Sequence, residues 1–178
     1  MTKPPAPQPD CWLHPDVEPR RSPIEGTGLF ALKPIPAGTS VSRLGGRLVS
    51  WPRLEELFAE AAARPDHPYI DTITVTGDWH LVMPPRRPNG YGNHSCDPNL
   101  WWVGDYTFAA RRDIPAGAEV TLDYATLTAP AFTLTCDCGS GALCRGVVTG
   151  EDWRRAELRE RYGDHWVPAL AERIAGLP

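Results

Sequence analysis

Residues 93–99 read Asn93-His94-Ser95-Cys96-Asp97-Pro98-Asn99, and this stretch decides how the rest of the chain is read. It places a thiol, Cys96, next to two turn-formers, Asp97 and Pro98, and behind an Asn-His pair able to grip a ligand through side chain and backbone. A lone Asn-His pair is more often a satisfied core pair, so its meaning depends on what surrounds it.

Downstream lies Glu119-Val120-Thr121-Leu122-Asp123-Tyr124, a short strand-like run ending in a tyrosine. Then come Cys136, Cys138 and Cys144, three thiols in nine residues, with Gly139 and Gly141 to let the loop curl, followed by Arg145-Gly146. Three thiolates leave a tetrahedral Zn²⁺ one ligand short, and structural zinc sites are closed by four. The alternative is a set of small buried cysteines, or a disulfide in an oxidising compartment. Cys11 stands apart and reads as a bystander.

The chain of 178 residues is long enough for one domain with a small appendage. Its hydrophobic share of 42% supports a real core, and 22% charged residues points away from disorder. No apolar run reaches the ~18–20 residues of a membrane span, so no membrane partner is expected. A net charge of −4 argues against direct nucleic-acid binding and is compatible with a basic protein partner. Met1 to Pro9 has no apolar signal region, so a cytoplasmic location, with reduced cysteines, is the expectation.

Along the chain, residues 1–19 are proline-rich and read as a flexible arm. Ser22 to Ala31 is a glycine-bounded turn running into a strand, and Pro34 to Gly38 make the next turn. Val41 to Val49 is strand-like, with Gly45-Gly46 as a turn or bulge. Ser50 is a candidate N-cap for a helix over 51–64 with Leu54, Leu57, Phe58 and Ala61 on one face. Tyr69 to Met83 reads as a hairpin about Gly77-Asp78; Trp101 to Val103 and Tyr106 to Ala110 are two more strands. Glu151 to Ala175 is helical with breaks near Gly163 and Pro168, its aromatics either packing or forming a lid. No internal repeat is read. Many short strands and few helices make a mostly-β fold.

The order N-H-S-C-x-P-N, then E-V-T-L-D-Y, then C-x-C…C-R-G resembles the SET-domain protein lysine methyltransferases with a post-SET zinc site. The resemblance covers roughly residues 20–147. It implies several small β-sheets around a pseudoknot in which the Asn93 segment and the Tyr124 strand cross. It divides the chain into a SET domain over 20–130, a post-SET zinc loop over 131–148 and a C-terminal helical segment over 149–178. It implies S-adenosyl-L-methionine as cofactor, held by Gly26-Thr27-Gly28, Asn93, His94 and Tyr124. It makes Tyr124 the catalytic tyrosine, and Cys96 the fourth ligand of a structural Zn²⁺ beside Cys136, Cys138 and Cys144. The product implied is methylated lysine in a Lys-containing protein substrate; the alternative is a SET-like zinc module that binds a peptide or partner without efficient catalysis.

The chain departs from the family's pattern in three places. Five residues rather than four separate Cys138 from Cys144. Gly90-Tyr91-Gly92 stands where relatives often carry Arg-Phe-Ile. Leu122 stands where many have an aromatic residue, which implies a roomy channel compatible with di- or trimethylation. A second channel tyrosine corresponds to Tyr69 or Tyr106.

Overall fold

A computed structural model describes residues 3–127 and 132–177. Among these residues, thirteen short strands form four small sheets, accompanied by three helices. The first sheet runs β1 (Trp12–Leu13), β4 (Ser40–Arg43), β10 (Thr107–Ala110), β9 (Leu100–Val103). The second runs β2 (Val17–Arg21), β3 (Thr27–Ala31), β11 (Glu119–Leu122), β8 (Asn93–His94). A third runs β5 (Arg47–Ser50), β7 (Trp79–Val82), β6 (Thr72–Thr76), and β12 (Thr133–Thr135) pairs with β13 (Val147–Thr149).

The two four-stranded sheets are joined by a repeat that the sequence reading missed. Phe30-Ala31 and Phe108-Ala109 each lead to an Ile-Pro-Ala-Gly turn, Ile35 to Gly38 and Ile114 to Gly117. The strands exchange partners across the pair: β3 lies on β11 and β10 on β4, both antiparallel. The turns answer one another atom for atom. Ile35 N donates to Ile114 O at 2.8 Å and Ile114 N to Ile35 O at 2.9 Å; Gly117 N donates to Ala31 O at 2.7 Å and Gly38 N to Ala110 O at 2.8 Å. Both glycines sit at φ +81°, where a side chain would be strained. The connections between Phe-Ala and Ile-Pro-Ala-Gly differ in length and composition, which hides the two-fold relation from a search for fixed-period repeats.

The proline-rich arm is not loose over its described residues. Tyr106 donates its hydroxyl to Pro5 O at 2.6 Å, Gly46 N donates to Gln8 O at 2.8 Å, and β1 pairs with β4. Prolines cannot donate hydrogen bonds, but residues in an extended proline-rich segment still accept them. Proline richness and a lack of periodicity therefore do not by themselves leave a segment loose.

Helix α1 (Trp51–Ala62) starts behind Ser50, as expected, but Ser50 makes no side-chain cap: Pro52 has removed one of the N–H groups it could reach. It ends short of Arg64, which precedes Pro65 and is disfavoured in the helical region. Leu54, Leu57 and Ala61 are buried, whereas Phe58 is 41% exposed, because the stripe facing Val49, Ile70 and Val82 is narrow. The terminal helices α2 (Ala156–Tyr162) and α3 (Pro168–Ala175) break at Gly163 and Pro168 as read. Trp153, Tyr162 and Trp166 are each at most 3% exposed and join the main core. They pack; they do not form a lid. No described helix is long and apolar enough to cross a membrane.

Candidate functional site

Strand β11 is where the site assembles. It is antiparallel to β3 on one side and parallel to β8 on the other, with Thr121 opposite Asn93 and Leu122 opposite His94. Ser95 N continues the parallel ladder to Leu122 O at 2.8 Å. The segment quoted first and the strand ending at Tyr124 therefore lie side by side.

Past Leu122 the chain turns over Asp123, whose carboxylate accepts from Ala125 N at 3.0 Å and starts a single 3₁₀ turn, Tyr124–Thr126. That turn swings Tyr124 back over β8, its ring centroid 5.2 Å from that of His94. Its hydroxyl donates to Gly92 O at 3.0 Å, and burial holds the phenol above its ordinary value of 10. Tyr124 lines a cavity of about 440 Å³ whose wall includes Leu29, Leu100, Val120, Leu122 and Gly92. Of the two tyrosines left open by the sequence, Tyr69 lines this cavity, while Tyr106 is occupied by Pro5. Tyr91 is 46% exposed and does not line the cavity. The wall there is Gly92, and a Cβ added to it would stand 3.0 Å from Leu122 Cδ1.

Gly26, Thr27 and Gly28 lie on the other flank, where β3 begins. The Asn93 amide ties them in: its Nδ2 faces Glu25 O at 3.0 Å, Thr27 O at 3.4 Å and Glu119 Oε1 at 2.8 Å. Glu119 also accepts from Ser22 Oγ at 2.8 and 2.9 Å. Gly28 is glycine for a nearer reason than ligand approach: a Cβ there would overlap the Glu119 carboxylate. Asn93 Oδ1 takes no hydrogen bond from the described residues and remains able to accept one from a ligand.

His94 points inward. Its Nδ1 accepts from Tyr124 N at 3.3 Å, which leaves Nε2 protonated and 3.3 Å from Cys96 Sγ. Burial depresses its pKa to about 4, against the pull of Asp123. Four groups, His94, Cys96, Cys136 and Cys138, lie close enough together to hold a metal ion. The proton on Nε2 makes His94 a donor to the Cys96 sulfur rather than a ligand. Cys144 stands outside that group but beside Cys136, whose Sγ lies 3.8 Å from both Cys96 Sγ and Cys144 Sγ. Four thiolates at the usual Zn–S distance of about 2.3 Å form a tetrahedron of edge about 3.8 Å, the length of the Cys136–Cys96 and Cys136–Cys144 separations. Burial raises the Cys96 thiol and opposes ionisation of Cys138. The Cys96 N–H and the Ser140 hydroxyl outweigh burial at Cys138 and bring it down to about 6. Cys11 lies apart, taking a hydrogen bond from Gly45 N at 3.2 Å.

Behind the site, Asp123 is fully buried. Arg145 grips it at 2.6 and 2.8 Å, and the Tyr162 hydroxyl donates to it at 2.8 Å. Asp123, Arg145 and Glu119 were not singled out from sequence, although each sits inside a quoted motif. The available signal was a charged residue in an otherwise apolar strand, next to an arginine following a thiol.

The SET domain family model matches residues 26–125, more than half of the chain. The chain belongs to the SET-domain family. It is 28% identical over 157 residues to the histone-lysine N-methyltransferase SETD2 of mouse and human, covering 84% of this chain and 6% of the relative. It is 32% identical over 158 residues to ATX2 of Arabidopsis thaliana (78% of this chain, 14% of the relative), also named a histone-lysine N-methyltransferase. Against mouse NSD3, of the same printed name, identity is 30% over 168 residues (84% and 12%). Among solved structures, the methyltransferase domain of human SETMAR superposes with a TM-score of 0.56 at 23% identity, covering 75% of this chain and 58% of that one. The mostly-β SET architecture expected from the motifs is the one found.

Proposed function

We propose that this SET-domain protein transfers methyl groups from S-adenosyl-L-methionine to the side-chain amine of lysine in a protein substrate. The observation that carries the reading is the Tyr124 hydroxyl, donated to Gly92 O at 3.0 Å inside a largely apolar cavity. The relatives named as histone-lysine N-methyltransferases support it. When bound, the cofactor supplies a methyl group on a positively charged sulfur, open to direct displacement by an amine.

The chain's own residues then have two tasks. The first is orientation, for in-line displacement needs nitrogen, carbon and sulfur in a row. With its proton committed to Gly92, the Tyr124 oxygen presents lone pairs that can accept an amine N–H. The second is deprotonation of a lysine whose free pKa is about 10.4. The walls made by Leu29, Leu100, Val120 and Leu122 disfavour the charged ammonium and drive its proton back to water before transfer. Asn93, with a free Oδ1, and the Gly26 to Gly28 turn would hold the cofactor's amino-acid end. His94, its side chain turned inward, would offer backbone.

Cys96, Cys136, Cys138 and Cys144 would hold Zn²⁺ as a structural clip between the Asn93 segment and the C-terminal loop. The His94 and Arg145 N–H groups that approach Cys96 Sγ, each at 3.3 Å, suit a thiolate ligand. A cytoplasmic setting would keep these thiols reduced.

The test is incubation with methyl-labelled S-adenosylmethionine and a panel of Lys-rich proteins, alongside Tyr124→Phe. Label on lysine, reduced about 10²-fold in the variant by loss of positioning, is expected. Cofactor binding with no transfer to any acceptor would instead favour a peptide-binding module.

A further inference from the structure

We propose that the Glu119 carboxylate is the counter-ion for the α-ammonium group at the amino-acid end of the bound cofactor. The inference rests on the cofactor reading above.

Glu119 is half-buried and accepts from two neutral donors, Ser22 Oγ and Asn93 Nδ2. Among the described residues no basic side chain forms an ion pair with it. A carboxylate partly removed from water, without a cation, in a site that the chain takes care to build, is costly unless a ligand brings the charge.

The care is visible in three places. Gly28 has no Cβ, and any Cβ would overlap this carboxylate. Ser22 bridges both carboxylate oxygens and also accepts from Ile24 N at 2.9 Å, so the carboxylate and the turn are fixed together. Asn93 is drawn against it from β8. The surroundings also have more acceptors than donors. Three oxygens, Glu25 O, Thr27 O and Glu119 Oε1, lie within 3.4 Å of Asn93 Nδ2, which has only two hydrogens to give. The surplus is carbonyl and carboxylate oxygen, the environment that suits a small cation with three N–H groups.

A cationic amine seated here would meet a charge-assisted acceptor on Glu119 and a neutral one on a backbone carbonyl. The carboxylate would then hold the Asn93 amide by its NH₂ side and leave Oδ1 turned outward to the same ligand. Glu119 is in this sense a binding residue, and Ser22 ties the neighbouring turn to it without carrying charge.

The experiment is calorimetry of the full chain with two probes, S-adenosylhomocysteine and its analogue lacking only the α-amine. Wild type should bind the amine-bearing probe roughly 10–100-fold more tightly. Glu119→Gln should lose most of that preference by weakening the amine-bearing probe, with the amine-less analogue unchanged. Ser22→Ala, which keeps the charge, should retain the preference. If both probes weaken equally in Glu119→Gln, the carboxylate is only a clamp on the turn and the proposal is overturned. Equal binding of both probes to wild type overturns it as well. Binding of neither probe to folded wild type removes the cofactor reading and this inference with it. Should Glu119→Gln not fold, Ser22→Ala decides: loss of the amine preference there contradicts a charge-based role.

Discussion

Asp123 and Arg145 form a two-pronged ion pair at 2.6 and 2.8 Å, with the carboxylate side chain 0% and the guanidinium side chain 5% exposed. Asp123 immediately precedes Tyr124, and Arg145 immediately follows Cys144. The pair thus couples the tyrosine's turn to the cysteine loop. Burial works against the guanidinium, and the hydrogen bonds it donates to Asp123 more than offset it, keeping Arg145 charged. Asp123→Asn leaves that charge buried with poorer partners and should cost about 3–5 kcal/mol in urea unfolding. Tyr162→Phe, which removes one neutral donor from the same carboxylate, should cost about 1 kcal/mol. Equal losses for the two would show that the charge is not what matters.

The sulfur cluster makes a separate prediction. Purified protein should carry one zinc per chain by elemental analysis, and Cys144→Ser should lower that content. Stripping the metal with a chelator should release the loop that carries Cys136 to Cys144 and expose the Asn93 segment. Methyl transfer and the melting temperature should then fall together and recover on adding Zn²⁺. Full activity in metal-free protein would remove the clip.

We expect product number to be set where Gly92 and Leu122 meet. With glycine on one side and a flexible leucine on the other, the cavity wall should leave room for a di- or trimethylated amine. Exhaustive turnover followed by mass spectrometry should show more than one methyl per lysine. Leu122→Tyr should shift the product toward monomethyl. Gly92→Ala should act in the same direction more weakly, because the new methyl would press on Leu122 Cδ1. A purely monomethyl wild-type product would sink the idea.

Far from the cavity, His80 supplies a pH test of stability. It is 7% exposed on β7, with Nδ1 3.2 Å from Thr74 Oγ1 and its ring against Trp51. Burial depresses its pKa below 6.5, against a small opposing pull from Asp78. The unfolded chain therefore binds the proton more readily. The neutral His80 contribution is present above about pH 6.5 and is lost as pH falls toward the folded value. Unfolding midpoints measured from pH 5 to 7.5 should fall more steeply for wild type than for His80→Gln.

The sequence reading reached the fold because its decisive motifs are local: short runs with turn chemistry at their ends. Tyr124, Asn93 and the four cysteines were named from such runs, and they lie on neighbouring segments of the structure. What escaped it depends on residues far apart in the chain. Glu119 and Ser22 are separated by 97 positions, and Asp123 and Arg145 by 22. A charged residue in a strand says only that it needs a partner, not which one. The exchange of strands about the two Ile-Pro-Ala-Gly turns was missed for another reason. The tetrapeptides are short and the segments leading to them unequal, so only the reciprocal hydrogen bonds make the relation plain.

The seating of the N-terminal segment changes what counts as the smallest useful piece of this protein. Asn89, which lines the cavity, donates Nδ2 to Trp12 O at 2.9 Å and to Ser42 Oγ at 2.7 Å. The family motif begins at residue 26. A fragment cut to that boundary would retain every residue of the motif and lose part of what braces the cavity from behind. Expression trials, crystallisation and any graft of this domain onto another protein should therefore start no later than residue 3, and fusion partners belong upstream of it on a spacer.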